Sequence, residues 1–204
     1  MNKRKISIGI CAVILTCFAA VAYGQDPVHF RGTIQKLGAD SIVINQISGE
    51  TITIMAPKEM IVLTSEPTAA ANIVAEKFIG VTALALPDGS LKALEVHIFS
   101  EAGRGIGEGH YPWSLLPDST MTNANISSMV ESVDGAVMSL AYKDGGSQKV
   151  VIPPGVPVAK LELVNNWSPM EVGSHIFVVA SEGDDGQFSA IAVVIGLRGT
   201  TPPM

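Results

Sequence analysis

The segment spanning residues 100–123 contains the chain's densest set of groups able to bind a ligand. Glycine occupies every second position from 103 to 109, and polar or aromatic side chains accompany and follow this run. Aromatic faces with a few convergent polar groups are typical of small-molecule pockets, which often lie between domains. The pattern therefore predicts a site that contacts a small ligand or a protein partner. Its predicted contact residues are Glu108, His110, Tyr111 and Trp113.

A transition-metal site is the alternative interpretation. Imidazole and thioether groups together suit Cu(I), and the candidates outside clearly predicted strands are His110, Met121 and Met204. The four histidines have no His-x-His or His-x3-His spacing, so the sequence has no local zinc signature. His29 and His97 would approach each other if the first and last strands of the first half paired. No resident cofactor is predicted beyond this possible metal ion.

Catalysis has little support in the sequence. Ser119 and Ser168 have no histidine nearby and do not lie in a Gly-x-Ser-x-Gly elbow. The alternating glycines also fail as a phosphate loop, because Pro112 follows where such a loop needs a helix start. A hydrolase is therefore the third functional hypothesis, behind ligand binding and metal handling.

The first 24 residues have the pattern of a secretory signal peptide. Three basic residues precede an apolar run, and small residues follow at positions suited to cleavage. We expect an exported protein, periplasmic or secreted, without a membrane span after cleavage. Thr16 before Cys17 is bulkier than a lipoprotein cleavage site requires, which favours the soluble form over the lipidated one.

Cleavage would also change the chemistry available to the chain. Both cysteines, Cys11 and Cys17, lie in the predicted signal, so the mature chain would have no disulfide and no thiolate metal site. The signal contains three basic and no acidic residues, so its removal changes the formal net charge from −6 to −9. Such a charge disfavours nucleic acid as a partner, because nonspecific binding draws on a basic surface.

The predicted strands and turns that position these residues form an internal repeat of one unit. Asp88-Gly89 precedes Ala93 and Val96, and the same pattern recurs 97 residues later at 185–193. Residues 41–44 match 137–140 at a spacing of 96. A period this long exceeds the solenoid repeats of about 20–50 residues and suits two small domains.

Each unit is predicted to be built mainly of strands. Residues 51–55 alternate with period two, and residues 78–84 and 91–99 flank Asp88-Gly89, which is a strong hairpin signal. A short helix is expected in each unit, at 69–76 with Thr68 as N-cap and at 168–173 with a Ser168/Glu171 capping box. The predicted fold is all-β, with two tandem small OB-like β-barrels that each carry one short helix.

These patterns set the predicted domain boundaries. The signal peptide covers 1–24, the first β-barrel covers 25–99, a Gly-rich linker covers 100–123, and the second β-barrel with a Pro-rich tail covers 124–204.

The pattern of turn residues and spaced small or apolar residues in the two units resembles that of the exported OB-like β-barrel repeats of bacteria that are classed as a domain of unknown function. The residues that carry the resemblance are Gly32, Ile34, Asp88, Gly89, Ala93 and Val96 in the first unit, and Val172, Gly173, Asp185, Gly186, Ala190 and Val193 in the second. Residues 107–113 and 121–123 look like the signature of a proteobacterial two-barrel subgroup often labelled "metal ABC transporter permease". A permease needs several spanning helices, which this sequence lacks. The resemblance implies no catalytic residues.

Three hypotheses follow from the sequence. The first is a non-enzymatic periplasmic binding or scaffold protein that binds an unknown small ligand or an envelope protein through the linker surface. The second is a periplasmic protein that handles a transition metal for a transporter. The third is a hydrolase.

Overall fold

The computed structural model describes residues 26–132 and 135–204. The predicted signal peptide lies outside these residues. Within the described part, no helix is long and apolar enough to cross a membrane.

The protein is all-β, as predicted. The described chain forms thirteen strands, joined by turns and by four single 3-10 turns at Ala70–Asn72, Glu101–Gly103, Lys143–Gly145 and Leu197–Gly199. The strands are β1 (Val28–Leu37), β2 (Ser41–Gln46), β3 (Thr51–Met55), β4 (Ile61–Pro67), β5 (Phe78–Ala85), β6 (Leu91–Phe99), β7 (Gly109–Pro112), β8 (Thr120–Ser132), β9 (Gly135–Ala141), β10 (Ser147–Ile152), β11 (Val158–Val164), β12 (His175–Glu182) and β13 (Phe188–Gly196).

Five strands pair into a first ring. The antiparallel meander β1–β2–β3 is closed by the hairpin β12–β13, with β12 antiparallel to β1 and β13 parallel to β3. Alternate residues of each strand point inward and bury aliphatic side chains such as Ile34, Ile44 and Ile195.

A second ring has the same plan. The meander β8–β9–β10 is closed by the hairpin β5–β6, with β5 antiparallel to β8 and β6 parallel to β10. Its interior is again aliphatic and includes Ile79, Val81 and Leu140. The short strand β7 pairs with β8 outside this ring.

The strand pairing corrects the predicted domain boundaries. Each ring takes its three-stranded meander from one half of the chain and its closing hairpin from the other half. Residues 25–99 and 124–204 are therefore not two separate barrels. The predicted linker at 100–123 also contains β7 and the first residues of β8, so position 124 lies inside a strand.

Strands β4 and β11 join the two rings. They pair with each other in antiparallel register, with Leu63 opposite Leu163. Strand β4 also runs parallel to β13 of the first ring, and β11 runs parallel to β6 of the second. The two rings therefore share one continuous sheet through this central pair.

The two predicted hairpins are confirmed. The β5–β6 hairpin turns at Gly89, whose φ is 82°, and the β12–β13 hairpin turns at Gly186, whose φ is 75°. Glycine adopts this left-handed conformation without the steric cost that other residues pay.

The two predicted helices are wrong. The first shrinks to the 3-10 turn Ala70–Asn72, whose N-cap is Ala69 rather than Thr68. At 168–173 the capping box does not form, because the Ser168 backbone N–H donates to Asn166 Oδ1 at 2.9 Å. An Asx-type turn of this kind competes with a helix start for the same donors.

Candidate functional site

A cavity of about 640 Å³ lies between the two rings, against the central β4–β11 pair. Its walls are mainly apolar and aromatic, and include Leu63, Phe99, Leu161 and Val194. These side chains belong to a third apolar cluster, separate from the interiors of the rings. Volume and lining are those of a small-molecule pocket, for which about 300–1,000 Å³ is usual.

An aromatic group forms one wall of the cavity. The ring of Trp113 lies 4.2 Å from that of His29 and 5.6 Å from that of Phe177, measured between centroids. Strands β1 and β12 hold His29 and Phe177, and the segment after β7 brings Trp113 to them. Burial, reinforced by the charge of Arg31, lowers the pKa of His29 to about 4, so its imidazole is neutral at pH 7.

A hydrogen-bonded group forms a second wall. Asn123 Nδ2 donates to Tyr111 Oη at 3.2 Å and to the Ile106 carbonyl at 3.1 Å. The Tyr111 hydroxyl donates to the Gly107 carbonyl at 3.2 Å, and burial raises the pKa of Tyr111 to about 12.

Two residues of these walls keep a buried polar atom unpaired. Neither Trp113 Nε1 nor Asn123 Oδ1 has a hydrogen-bond partner within the described protein. Buried polar atoms are usually paired, and leaving one unpaired costs about 1–3 kcal/mol. These two atoms mark places in the cavity walls where the packing leaves a buried polar group unsatisfied.

His97 is almost fully buried where the second ring meets the cavity. Its Nε2 lies within hydrogen-bond distance of the Pro203 carbonyl, which can only accept, so this nitrogen carries the proton. Glu95 Oε1 lies 3.6 Å away and accepts a hydrogen bond from Thr82 Oγ1 at 2.7 Å. Burial lowers the pKa of His97 more than Glu95 and the Pro203 carbonyl raise it.

The structure brings together two of the four predicted contact residues. Tyr111 and Trp113 line the cavity, whereas Glu108 and His110 do not. Glu108 Oε1 accepts a hydrogen bond from the Lys143 backbone N–H at 3.1 Å. His110 contacts Thr122 Oγ1 at 2.8 Å and stacks on Tyr142 of the second ring. Side chains alternate along a strand, so His110 faces away from Tyr111 within β7, whereas Glu108 precedes the strand.

The three predicted metal ligands are also divided. Met121 and Met204 line the cavity and are buried, whereas His110 lies outside it. Met121 lies within β8 rather than outside a strand. Among residues 26–132 and 135–204, no group of three or more His, Cys, Asp or Glu side chains is placed to hold a metal ion.

Sequence reasoning missed several residues of the site. Phe177 and Ser114 line the cavity, and nothing in their local sequence marks them. Asn123 also lines it, and the sequence marks Asn123 only as part of the signature at 121–123. His29 and His97 were expected to meet through direct pairing of their strands. They line the same cavity by another route, because β1 belongs to the first ring and β6 to the second.

Ser114 and His29 form a serine–histidine contact at the rim. His29 Nδ1 lies 2.6 Å from Ser114 Oγ, which also accepts hydrogen bonds from the Arg31 guanidinium at 3.1 and 3.2 Å. A histidine with so low a pKa is a weak general base at pH 7. The contact has the residue types of a nucleophile–base pair, but the pKa of its histidine is too low for an efficient general base.

Comparison of the chain with protein-family models, with curated proteins and with solved structures finds no match. The resemblance to exported OB-like repeats therefore stays a prediction, and the site has to be interpreted from its own geometry.

Proposed function

We propose that this is a non-enzymatic periplasmic protein that binds a small, mainly apolar ligand in the cavity between its two rings. The observation that carries the proposal is a cavity of about 640 Å³ with apolar walls, two of whose residues keep an unpaired buried polar atom. Apolar walls supply affinity through burial, and a few polar groups fix orientation.

The finer fold belongs to the same proposal. Each ring has five strands in the order of an OB-like barrel, a meander closed by a hairpin, and the repeat of about 97 residues supplies these parts twice. In this interpretation the two OB-like barrels exchange their closing hairpins within one chain. The exchange fixes the barrels against each other and shapes the cavity between them.

The test measures binding of Nile red, a neutral apolar dye, by its fluorescence with the full-length protein. We expect Trp113→Ala to weaken binding by about tenfold or more, since buried tryptophan is a common hot spot in binding sites. His110→Ala is the matched control, because His110 lies three positions away and faces the second ring. Equal effects of the two substitutions, or no binding by the unmodified protein, would contradict the proposal.

A transition-metal site is the second candidate. His29, His97, Met121 and Met204 all line the cavity, and imidazole with thioether suits Cu(I). Calorimetric titration with Cu(I), with Met121→Leu as the variant, tests this function. Failure to bind Cu(I) more tightly than about 10 μM, or binding that Met121→Leu leaves unchanged, would count against it.

Hydrolysis remains the third candidate through the Ser114–His29 contact. Covalent labelling of Ser114 by a fluorophosphonate probe, abolished in Ser114→Ala, would support it. An unlabelled serine would leave the binding function as the better account.

A further inference from the structure

Arg31 lies beside the binding cavity, and no described Asp or Glu side chain pairs with it. Its guanidinium carbon lies 4.9 Å from the centre of the Phe177 ring. Its Nη1 and Nη2 donate to Ser114 Oγ, which is a neutral acceptor. A half-buried cation that no acidic side chain neutralises favours an anionic oxygen as its acceptor.

A second cavity adjoins the first one at Arg31. This residue lines the second, smaller cavity of about 340 Å³, and that cavity shares Phe177 and Met204 with the larger one. A ligand in the larger cavity therefore reaches the guanidinium by displacing or passing Met204.

The chain itself now occupies the acceptor position at Arg31. Arg31 Nε donates to the Met204 main-chain oxygen at 2.5 Å, while the Met204 side chain packs in the apolar cluster with Phe99 and Leu161. Met204 thus places an oxygen acceptor on the Arg31 guanidinium and an apolar side chain in the cavity. A bound amphiphile would combine the same two groups, an oxygen end group and an apolar chain.

Arg31 supplies the positive charge at this site, and the neighbouring histidines add none. His29 is neutral at pH 7, since its pKa is about 4, and burial keeps His97 neutral as well. Asp26 at the rim of the cavity is exposed to solvent. Glu95 is the acidic group whose charge influences Arg31, but it forms no salt bridge with the guanidinium.

We propose that the cavity takes a ligand with an apolar chain and an anionic oxygen end group, which Arg31 binds in place of the Met204 main-chain oxygen. This inference rests on the proposed binding function and adds the class of ligand to it. A carboxylate and a phosphate monoester share the required chemistry, because both present oxygens to the donors of a guanidinium.

The experiment measures displacement of Nile red from the full-length protein by three twelve-carbon compounds below their micelle concentrations. These are dodecanoate, dodecyl phosphate and dodecanol. We expect at least one of the anions to bind about tenfold or more tightly than the neutral alcohol, as charge-assisted hydrogen bonds allow. The anion that binds more tightly identifies the end group.

Variants locate the effect. Arg31→Gln removes the charge and should abolish the preference for the anion over dodecanol. Arg198→Gln, at an exposed arginine paired with Glu66, should leave that preference unchanged. Arg31→Lys keeps the charge and should retain part of the preference even if the guanidinium geometry is lost.

The outcomes separate this inference from the function on which it rests. If Nile red binds but the anions and dodecanol displace it equally well, the ligand class is wrong and the binding function stands. If the anions displace Nile red better than dodecanol by the same factor in the unmodified protein and in Arg31→Gln, the assignment to Arg31 is wrong. If Nile red does not bind, the proposed function itself fails.

Discussion

Two rows of residues occupy matching places in the two rings but differ in chemistry. The row of the first ring crosses β1, β12 and β13, and the row of the second ring crosses β8, β5 and β6. The first row consists of Arg31, Phe177 and Val194. The second row consists of Asn123, Gly80 and His97. Phe177 and Gly80 are 97 positions apart, as are Val194 and His97.

The contrast is confined to the face between the rings. Both interiors are filled mainly by aliphatic side chains, so the rings are alike where they only need to pack. On the facing surfaces, the first row supplies a cation and an aromatic ring. The second supplies an amide and an imidazole, with room left by a glycine. The difference indicates that the ring interiors serve as a scaffold, and that the groups able to bind a ligand lie on the surfaces between the rings.

The largest expected effect comes from emptying the first row. Phe177 is 2 % exposed and lies against His29 and Trp113. Phe177→Ala should lower the free energy of unfolding by about 3–5 kcal/mol, since it removes a buried ring and leaves a cavity. Urea unfolding followed by circular dichroism measures this change.

Phe188→Ala is the control for that experiment. Phe188 belongs to the same ring and packs on Phe30 with centroids 4.8 Å apart, but it is only partly buried. Phe188→Ala should therefore lower the free energy of unfolding by less than Phe177→Ala does. A Phe177→Ala variant no less stable than Phe188→Ala would show that the face between the rings is not tightly packed.

The second expected effect comes from filling the second row. A Cβ at Gly80 would lie 2.5 Å from Asn123 Oδ1 and 3.4 Å from His97 Nδ1. Asn123 cannot swing away freely, because its amide nitrogen is bonded to Tyr111 and Ile106. Gly80→Ala should therefore lower the free energy of unfolding by about 1–3 kcal/mol, the usual cost of overpacking.

A double-mutant cycle identifies the source of this cost. Asn123→Ala removes the oxygen that the new methyl group meets, so the double variant should lose less stability than the two single variants added together. Strict additivity would mean that the added methyl group strains something other than Asn123.

The sequence predicted what depends on local chemistry. Asp88-Gly89 and Asp185-Gly186 specify tight turns within a few residues, and both hairpins form where expected. The helix at 168–173 is absent for an equally local reason: Asn166 Oδ1 accepts the hydrogen bond from the Ser168 N–H that a capping box would direct to the Glu171 carboxylate.

The exchange of hairpins was beyond the sequence pattern. Both halves of the chain present the same alternation, so β5–β6 satisfies the edge of either meander equally well in sequence terms. In the structure β4 pairs with β11, and each hairpin lies at the edge of the meander from the other half of the chain. The alternation of apolar and polar residues along a strand does not specify which of the two meanders a hairpin closes.

Within the candidate site, one further signal was available but not used. Tyr111 and Trp113 share a face of an extended segment and His110 lies on the other, as strand alternation requires. The composition of the segment predicted a binding site, and its periodicity would have divided the four residues. Phe177 and His97 reach the site only through the fold.

The smallest expected effect is the acid sensitivity of the second row. In the folded protein, burial lowers the pKa of His97 below the ordinary value of 6.5. The unfolded chain therefore binds more protons than the folded one once the pH falls below about 6.5, so stability should decrease as the pH falls. Between pH 6.5 and pH 5 one such histidine contributes at most about 2 kcal/mol, at 1.36 kcal/mol per pH unit. His29, with a pKa of about 4, acts in the same direction.

Unfolding free energies at pH 7 and pH 5 measure this effect. His97→Gln and His29→Gln should each reduce the difference between the two pH values, whereas Val194→Ala, at the non-titrating position that matches His97, should leave it unchanged. Asp88 and Glu101, whose pKa values are lowered, lose their contribution mainly below pH 5, so carboxylates interfere little. An equal pH difference in all four proteins would show that these histidines are not held neutral by the fold, and the second row would then not contribute to the acid sensitivity.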